Sequence, residues 1–387
     1  MVFCRKSMPK SKVAVVRCSS YDEEEVYAAL RQGVDLLGGV KSFVAQGETI
    51  LLKPNVLTGD PAERGVCTHP SVLQAAARLF RSVAEKVTYG DSSEHGRPSE
   101  NFESCGIAAA VQELGLEAAE FEQARSVAFP SSPHHKRFPL ASGVLATDGV
   151  VNLCKLKTHL LTRMTGAVKN LYGCIPGFQR KKALHVLYPT PSEFGRMLVA
   201  LNLLLRPRLR LHVMDGVLAM EGNGPRSGSL RRMGVLLFST DPVALDAVMC
   251  RLVELNPLYM GSARPGRAWG LGTYLEEEIE VVGDPWTRAV NGDFQVARGP
   301  VLDLSGAGAL SYVNHIIGRR PVIDPRKCTR CGQCVQACPV RPKAVDWRDG
   351  NRRKPPVHHY LRCIRCYCCQ EICPEGAIGV RHTILKL

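Results

Sequence analysis

The sequence predicts an α/β fold, a largely parallel sheet covered by helices, joined to a small C-terminal α+β unit. Three observations carry that expectation. Short apolar runs alternate with helix-periodic segments from residue 12 to residue 283. Polar, glycine-bearing stretches follow several of those runs. Sixteen cysteines are present, and eight of them form two matching runs within residues 328–373.

Residues 12–18 (KVAVVRC) read as a strand. Residues 22–37 have helical periodicity, with Glu23, Glu24 and Glu25 in the first turn, where the helix dipole favours acids. TILLK (49–53) is a second strand, ended by Pro54-Asn55. Residues 69–84 read as a helix, with Pro70 suited to its first position. A third strand at 86–89 stops at Gly90-Asp91-Ser92-Ser93. Residues 101–115 look helical but are interrupted at Gly106, and the proline-rich 126–143 reads as a loop. GVVNLCK (149–155) is a buried-type strand, followed by a polar, glycine-containing segment at 156–185. A helix at 191–205 and a strand at 208–214 lead into the loop Glu221-Gly222-Asn223-Gly224-Pro225. A strand at 234–238, a helix at 242–255 capped by Asp241, and a strand at 278–283 complete the pattern. The expected division is an α/β domain at 12–303, a linker at 304–320 and a cysteine-rich domain at 321–387.

The cysteine runs are Cys328-x2-Cys331-x2-Cys334-x3-Cys338-Pro339 and Cys363-x2-Cys366-x2-Cys369-x3-Cys373-Pro374. Both match the bacterial ferredoxin spacing, in which the fourth cysteine serves the other cluster. Cys328, Cys331, Cys334 and Cys373 are therefore expected to hold one [4Fe–4S] cluster. Cys363, Cys366, Cys369 and Cys338 are expected to hold the second. The runs are offset by 35 residues at all four positions, so this ferredoxin-like domain reads as an internal duplication. Cys368 falls outside the repeat. Zinc needs only four cysteines and no following proline, and a disulfide framework needs an oxidising compartment; both fit less well.

The net charge of +14 is uneven, because residues 320–387 carry 14 Lys and Arg against 5 Asp and Glu. Thiolate-bound clusters are negative and offset part of this excess. The remainder, such as Arg348, Arg352, Arg353 and Lys354, suits an acidic electron-carrier protein as readily as it suits a solvated surface. Aromatics are 6% and no nucleic-acid module interleaves them with the basic residues, so nucleic acid is not an expected partner. No run of 18 apolar residues predicts a membrane span. The first 12 residues are basic without an apolar core, so no signal peptide is read and a cytoplasmic location is expected.

In open parallel sheets, sites form beyond the carboxyl ends of the strands. Three stretches stand there: Lys53-Pro54-Asn55; Lys155, Lys157 and His159; and Asp215 through Pro225. Asp91 ends a strand in the same way. Lys53, Lys155, Lys157 and Lys169, with Asn55, Asp91, Asn170 and Glu221, are the candidates for binding a small anionic substrate. Gly222 and Gly224 would let backbone N–H groups approach it. A single lysine is ordinarily a surface charge; Lys157, bracketed by Lys155 and His159, favours a site. His159 and Cys174 are the candidate proton donors, although a buried cysteine is more often structural. A mononuclear metal on His69, His159, His185, Asp91 and Glu221 lacks any supporting spacing. Gly222-Asn223-Gly224 starts like a dinucleotide fingerprint, but the next glycine, Gly228, comes one place late. A flavin would convert one-electron delivery into two-electron chemistry, yet no motif supports one.

The stretches LLKPNVL, GDSS, KLKTH, TGAVKNLYG, MDGVLAMEGNGPRSG and TDPVALDAV resemble a widespread prokaryotic family of uncharacterised iron–sulfur-centre proteins. In that family a domain of unknown function is often fused to a two-cluster ferredoxin. The resemblance runs from residue 12 to 282 and on through the cysteine module. Its typical positions are Lys53, Asn55, Asp91, Lys157, His159, Lys169, Asn170, Asp215, Glu221, Gly222, Gly224, Pro225, Asp241 and Asp246. It implies a redox-linked role and names no substrate. One departure is internal: the segment after Cys338-Pro339 is two residues longer than its counterpart after Cys373-Pro374. The expected function is a ferredoxin-fed reductase of a small anion. The alternative is a non-catalytic electron-transfer subunit or iron–sulfur sensor docking on a redox partner.

Overall fold

The computed structural model describes residues 9–299 and 319–382. The strands of the main sheet are β1 (Ser11–Arg17), β2 (Thr49–Lys53), β3 (Lys86–Tyr89), β4 (Glu117–Ala118), β7 (Gly149–His159), β8 (Arg163–Met164), β9 (Leu209–Glu221), β10 (Ser229–Ser239) and β11 (Ile279–Gly283). Their spatial order is β11-β1-β10-β9-β7-β2-β3-β4, with β8 folded back on β7. Five of the seven neighbouring pairs are parallel. The exceptions are both made by β10, antiparallel to β1 and β9. A short turn joins β9 to β10, and a short turn can only produce an antiparallel neighbour. The sheet is therefore mixed, with a parallel half.

Successive side chains of a strand face opposite sides, and the core divides accordingly. Ile50 and Leu52 join Val151, Leu153 and Leu211 under α1 (Glu23–Leu36) and α2 (Pro70–Phe80). Leu51 and Val150 face the other way, against α8 (Pro191–Leu205). Val13, Val15 and Leu237 pack on α9 (Pro242–Leu252). Asp241 caps α9, accepting from the Val243 and Ala244 amides at 2.9 Å each.

Three expectations fail locally; the first is the strand expected at 208–214, which runs on to Glu221 as β9 and takes Asp215 into the sheet. The loop expected at 126–143 contains a hairpin of β5 (Ala124–Ala128) and β6 (Arg137–Ala141). Phe138 and Leu140 alternate into the core around Pro139, which a two-stranded edge tolerates. The strand expected to stop at Lys155 runs to His159, with all eleven residues buried. Segment 156–185 then forms β8, α6 (Gly166–Asn170) and α7 (Phe178–Leu187). The linker expected at 304–320 falls outside the described residues up to 318, and Arg319 and Arg320 open the next strand.

The cysteine-rich part has two small ribbons. β12 (Arg319–Ile323) pairs with β15 (Ile378–His382), and β13 (Val345–Asp346) with β14 (Val357–His358), all antiparallel. The short helices α11 (Gln333–Ala337) and α12 (Cys368–Glu371) follow the two cysteine loops. Among the described residues no helix is long and apolar enough to cross a membrane.

Candidate functional site

The two cysteine loops share one backbone shape. Arg330 and Arg365, 35 residues apart, have φ of 63° and 58°. Gly332 and Tyr367, again 35 apart, have φ of 77° and 62°. Left-handed turns at these places aim successive thiols toward one centre, and at Tyr367 a non-glycine residue accepts a cost of about 1–2 kcal/mol to do so. One cavity is lined by Cys328, Cys331, Cys334 and Cys373, the other by Cys338, Cys363, Cys366 and Cys369. Cys368 is buried and lines neither. Among the described residues, no three His, Cys, Asp or Glu side chains converge on one point as a single metal ion requires. Four thiols lining one cavity are what a cubane needs instead. Nor do His69, His159, His185, Asp91 and Glu221 form such a three-donor group among the described residues.

The strand-end lysines do converge, but two of them are neutralised. Lys53 Nζ lies 2.7 Å from Asp91 Oδ1, and both residues are buried. Lys155 Nζ lies 2.7 Å from Asp215 Oδ2 and 2.7 Å from the Tyr21 hydroxyl. The expected binding of an anion by Lys53 and Lys155 is corrected on this point: their charge is matched by internal carboxylates. Asn55, Asp91, Lys169 and Asn170 meet around a cavity of about 30 Å³, room for roughly one water. The ammonium of half-buried Lys169 makes no hydrogen bond among the described residues. Burial pushes its pKa down, against the pull of Glu371 and Glu94. Lys181, missed in the sequence, also lines this cavity and pairs with Glu94 at 3.1 Å.

Lys157 differs from its neighbours. Its ammonium donates to Asn55 Oδ1 at 2.7 Å and to the Val66 carbonyl at 2.6 Å. Burial lowers its pKa to about 7; Cys67 opposes this, and Lys169 and Lys155 reinforce it. An unfolded lysine titrates near about 10.4, so between about pH 7 and 10 the unfolded chain binds more protons than the folded one. Stability from this site should then rise with pH across that window. Thermal melts at about pH 7 and 9.5 check this: wild type should gain on Lys157→Met at the higher pH. A constant difference would count against a depressed Lys157.

His159 sits where the two parts of the chain meet. Its Nδ1 accepts from the Leu161 and Thr162 amides at 3.2 and 3.3 Å. That pattern assigns the proton to Nε2, which faces Glu371 Oε1 at 3.0 Å. Burial, with Lys169 beside it, pushes the His159 pKa down to about 4, so it stays neutral. Further ties fix the cysteine module to the sheet's rim. Gln370 Nε2 donates to the Asn223 carbonyl at 2.9 Å, Arg226 Nη1 to the Ile372 carbonyl at 2.8 Å, and Lys182 Nζ to the Gln336 carbonyl at 3.3 Å. Tyr367 packs with Leu171, Tyr172 and Phe194. Glu371 and Gln370 were not legible as contact residues, because inside a cysteine motif they read as spacers.

The remaining candidates separate from this junction. Glu221 is held by Arg231 in a two-point pair at 2.8 and 3.1 Å and accepts from the Gln295 amide. At Gly224 a Cβ would lie 2.4 Å from the Thr158 carbonyl; its closeness serves chain packing rather than an anion. Gly222 has φ of 73° and lines a larger cavity with His159. Burial pushes the Cys174 thiol up to about 12. It stays protonated and fully enclosed, which removes it as a thiolate and as an accessible proton donor.

Residues 50–251, just over half of the chain, match the model of a domain of unknown function, DUF362. The chain belongs to that family. In this DUF362 protein residues 320–374 match a 4Fe-4S dicluster domain, and the C-terminal module accordingly holds two [4Fe–4S] clusters. A thylakoid-associated protein of Synechocystis sp. is 36% identical over 281 residues, 71% of this chain and 86% of that protein. One component of an ion-translocating oxidoreductase complex from Buchnera aphidicola is 31% identical over 77 residues, 19% of this chain and 16% of that protein. A solved lactate racemase apoprotein from Thermoanaerobacterium thermosaccharolyticum aligns with a TM-score of 0.42 at 10% identity, over 63% of this chain and 57% of its own.

Proposed function

We propose that this DUF362 protein is a ferredoxin-fed reductase. Electrons enter from an acidic carrier protein at the Cys331 edge, and a small anionic substrate is reduced where the module meets the sheet. The observation that carries this reading is the unequal burial of the two cysteine sets. Cys331 is exposed and Cys328 half-buried, whereas Cys338, Cys363, Cys366 and Cys369 are all buried. We assign the first cluster to Cys328, Cys331, Cys334 and Cys373, and the second to the buried set. Bound there, the clusters supply one-electron transfers. Around the exposed edge stand Arg326, Lys327 and Arg330. Arg330 Nη1 donates to the Arg353 carbonyl at 3.2 Å, which brings the 352–354 basic run to the same side. Such a face steers an acidic partner and turns away a basic one.

Stopped-flow reduction of the holoprotein by a reduced acidic ferredoxin tests the entry point. Arg330→Glu combined with Arg353→Glu should slow it ~10-fold at low salt, with the difference shrinking at high salt. Equal rates at every salt concentration would remove the acidic carrier from the reading. The second half is tested by reoxidation. Reduced holoprotein that no anionic small molecule in a protein-free cell extract reoxidises would favour an electron-transfer subunit, with this face as its docking surface. The small size of the rim cavity is the observation on that side.

A further inference from the structure

The β7–β8 hairpin, the β9–β10 turn and the β12–β15 ribbon enclose a cavity of about 1010 Å³. That is ample for a small organic ligand. Among the described residues Arg163, Arg326, Lys327 and Arg381 line it, with one carboxylate, Asp324.

Arg163 is the unusual member. It is 7% exposed, and no carboxylate lies within ion-pair range of it among the described residues. Its Nη2 donates to the Gly299 carbonyl at 2.6 Å, while its buried Nε has no partner. A buried unpaired donor is costly, and a buried unpaired cation more so. Its backbone is also left-handed, with φ of 70°. Strain of that kind in a non-glycine residue marks a side chain held for a purpose. Burial and the neighbouring Arg319 both disfavour its charge, as expected of a guanidinium set out for a counter-ion.

The cavity is also close to both cysteine sets. Ile323 and Ala377 line it and the Cys328–Cys373 cavity alike. Pro321, on the same strand as Ile323, lines the other cysteine cavity. A molecule here shares the Ile323 and Ala377 walls with the Cys328–Cys373 set.

We infer that this cavity binds a small organic oxyanion with at least two carboxylate or phosphate groups, and that Arg163 recognises one of them. Arg326, Lys327 and Arg381, exposed at the mouth, meet the other. Taking this ligand as the substrate rests on the reductase reading; its binding does not. Anaerobic calorimetric titration of the oxidised holoprotein at low salt, with pyrophosphate and with succinate, is the test. One of the two should bind saturably, and the tighter one tells phosphate from carboxylate recognition. Arg163→Gln should weaken it ~10-fold or more, and Arg381→Gln ~3-fold. The inference is overturned if neither probe saturates, or if Arg163→Gln binds as wild type does. Should Arg163→Gln fail to fold, unchanged affinity in Arg381→Gln overturns it equally. Neither probe accepts electrons, so the reductase is judged by the cell-extract assay: binding here without reoxidation there keeps this inference and removes the reductase. Reoxidation by an anion that is indifferent to both variants does the reverse.

Discussion

Replacing Asp215 by alanine is expected to destabilise the fold by about 3–5 kcal/mol, the range for removing one partner of a buried ion pair. Asp215 has no solvent exposure. Its carboxylate accepts from Lys155 Nζ at 2.7 Å, the Tyr21 hydroxyl at 2.8 Å and the His69 amide at 3.0 Å. Tyr21 in turn stacks on His69 with ring centres 3.6 Å apart. These contacts join β7 and β9 to the segments preceding α1 and α2. Loss of the carboxylate leaves the Lys155 ammonium buried without a counter-charge. The penalty comes from that orphaned charge more than from the missing attraction. Asp215→Asn should therefore cost less if the amide keeps some hydrogen bonds, and Lys155→Met with Asp215→Leu together should recover most of the loss. Thermal or denaturant unfolding of the holoprotein measures all three. An Asp215→Ala protein within about 0.5 kcal/mol of wild type would mean that the pair contributes no more than an exposed one.

The same lysines show where the sequence was legible and where it was not. Short β-branched and leucine-rich runs at 49–53 and 149–155 identified buried strands, because little else satisfies both faces of a central sheet. The rim location followed from strand order. The partners did not. Nothing local to Lys155 announces Asp215 or Tyr21, and nothing near Lys53 announces that Asp91 will meet its ammonium. Lysine in an apolar run reads as the run's end, so β7 was expected to stop four residues early. Arg163 was invisible for a related reason: its distinction lies in a left-handed backbone and in the lack of a counter-charge among the described residues, neither encoded by spacing. The cysteine module was the reverse case. There the donors, their order and the repeat length are local, so the pattern already contains the arrangement of the two cavities.

Cys369→Ser is expected to halve the iron content, from about eight to about four per chain, while Cys368→Ser keeps about eight. The two residues are adjacent, buried and on the same short helix, so neither exposure nor location separates them. Geometry does. Cys369 lines a cavity with Cys338, Cys363 and Cys366, whereas Cys368 lines neither cysteine cavity and its thiol meets the outer side of that set at Cys366. The repeat agrees: 35 residues before Cys369 stands Cys334, and 35 before Cys368 stands Gln333. Serine removes the soft thiolate that iron prefers with little change in volume, so the outcome reports ligation rather than packing. Anaerobic iron counting, with paramagnetic resonance of the reduced protein, reads the result. Loss of half the iron in Cys368→Ser would reverse the ligand assignment. Full iron in Cys369→Ser, lost only when Cys368→Ser is added, would show that the neighbouring thiol takes over the vacant corner, with α12 turning to bring it there.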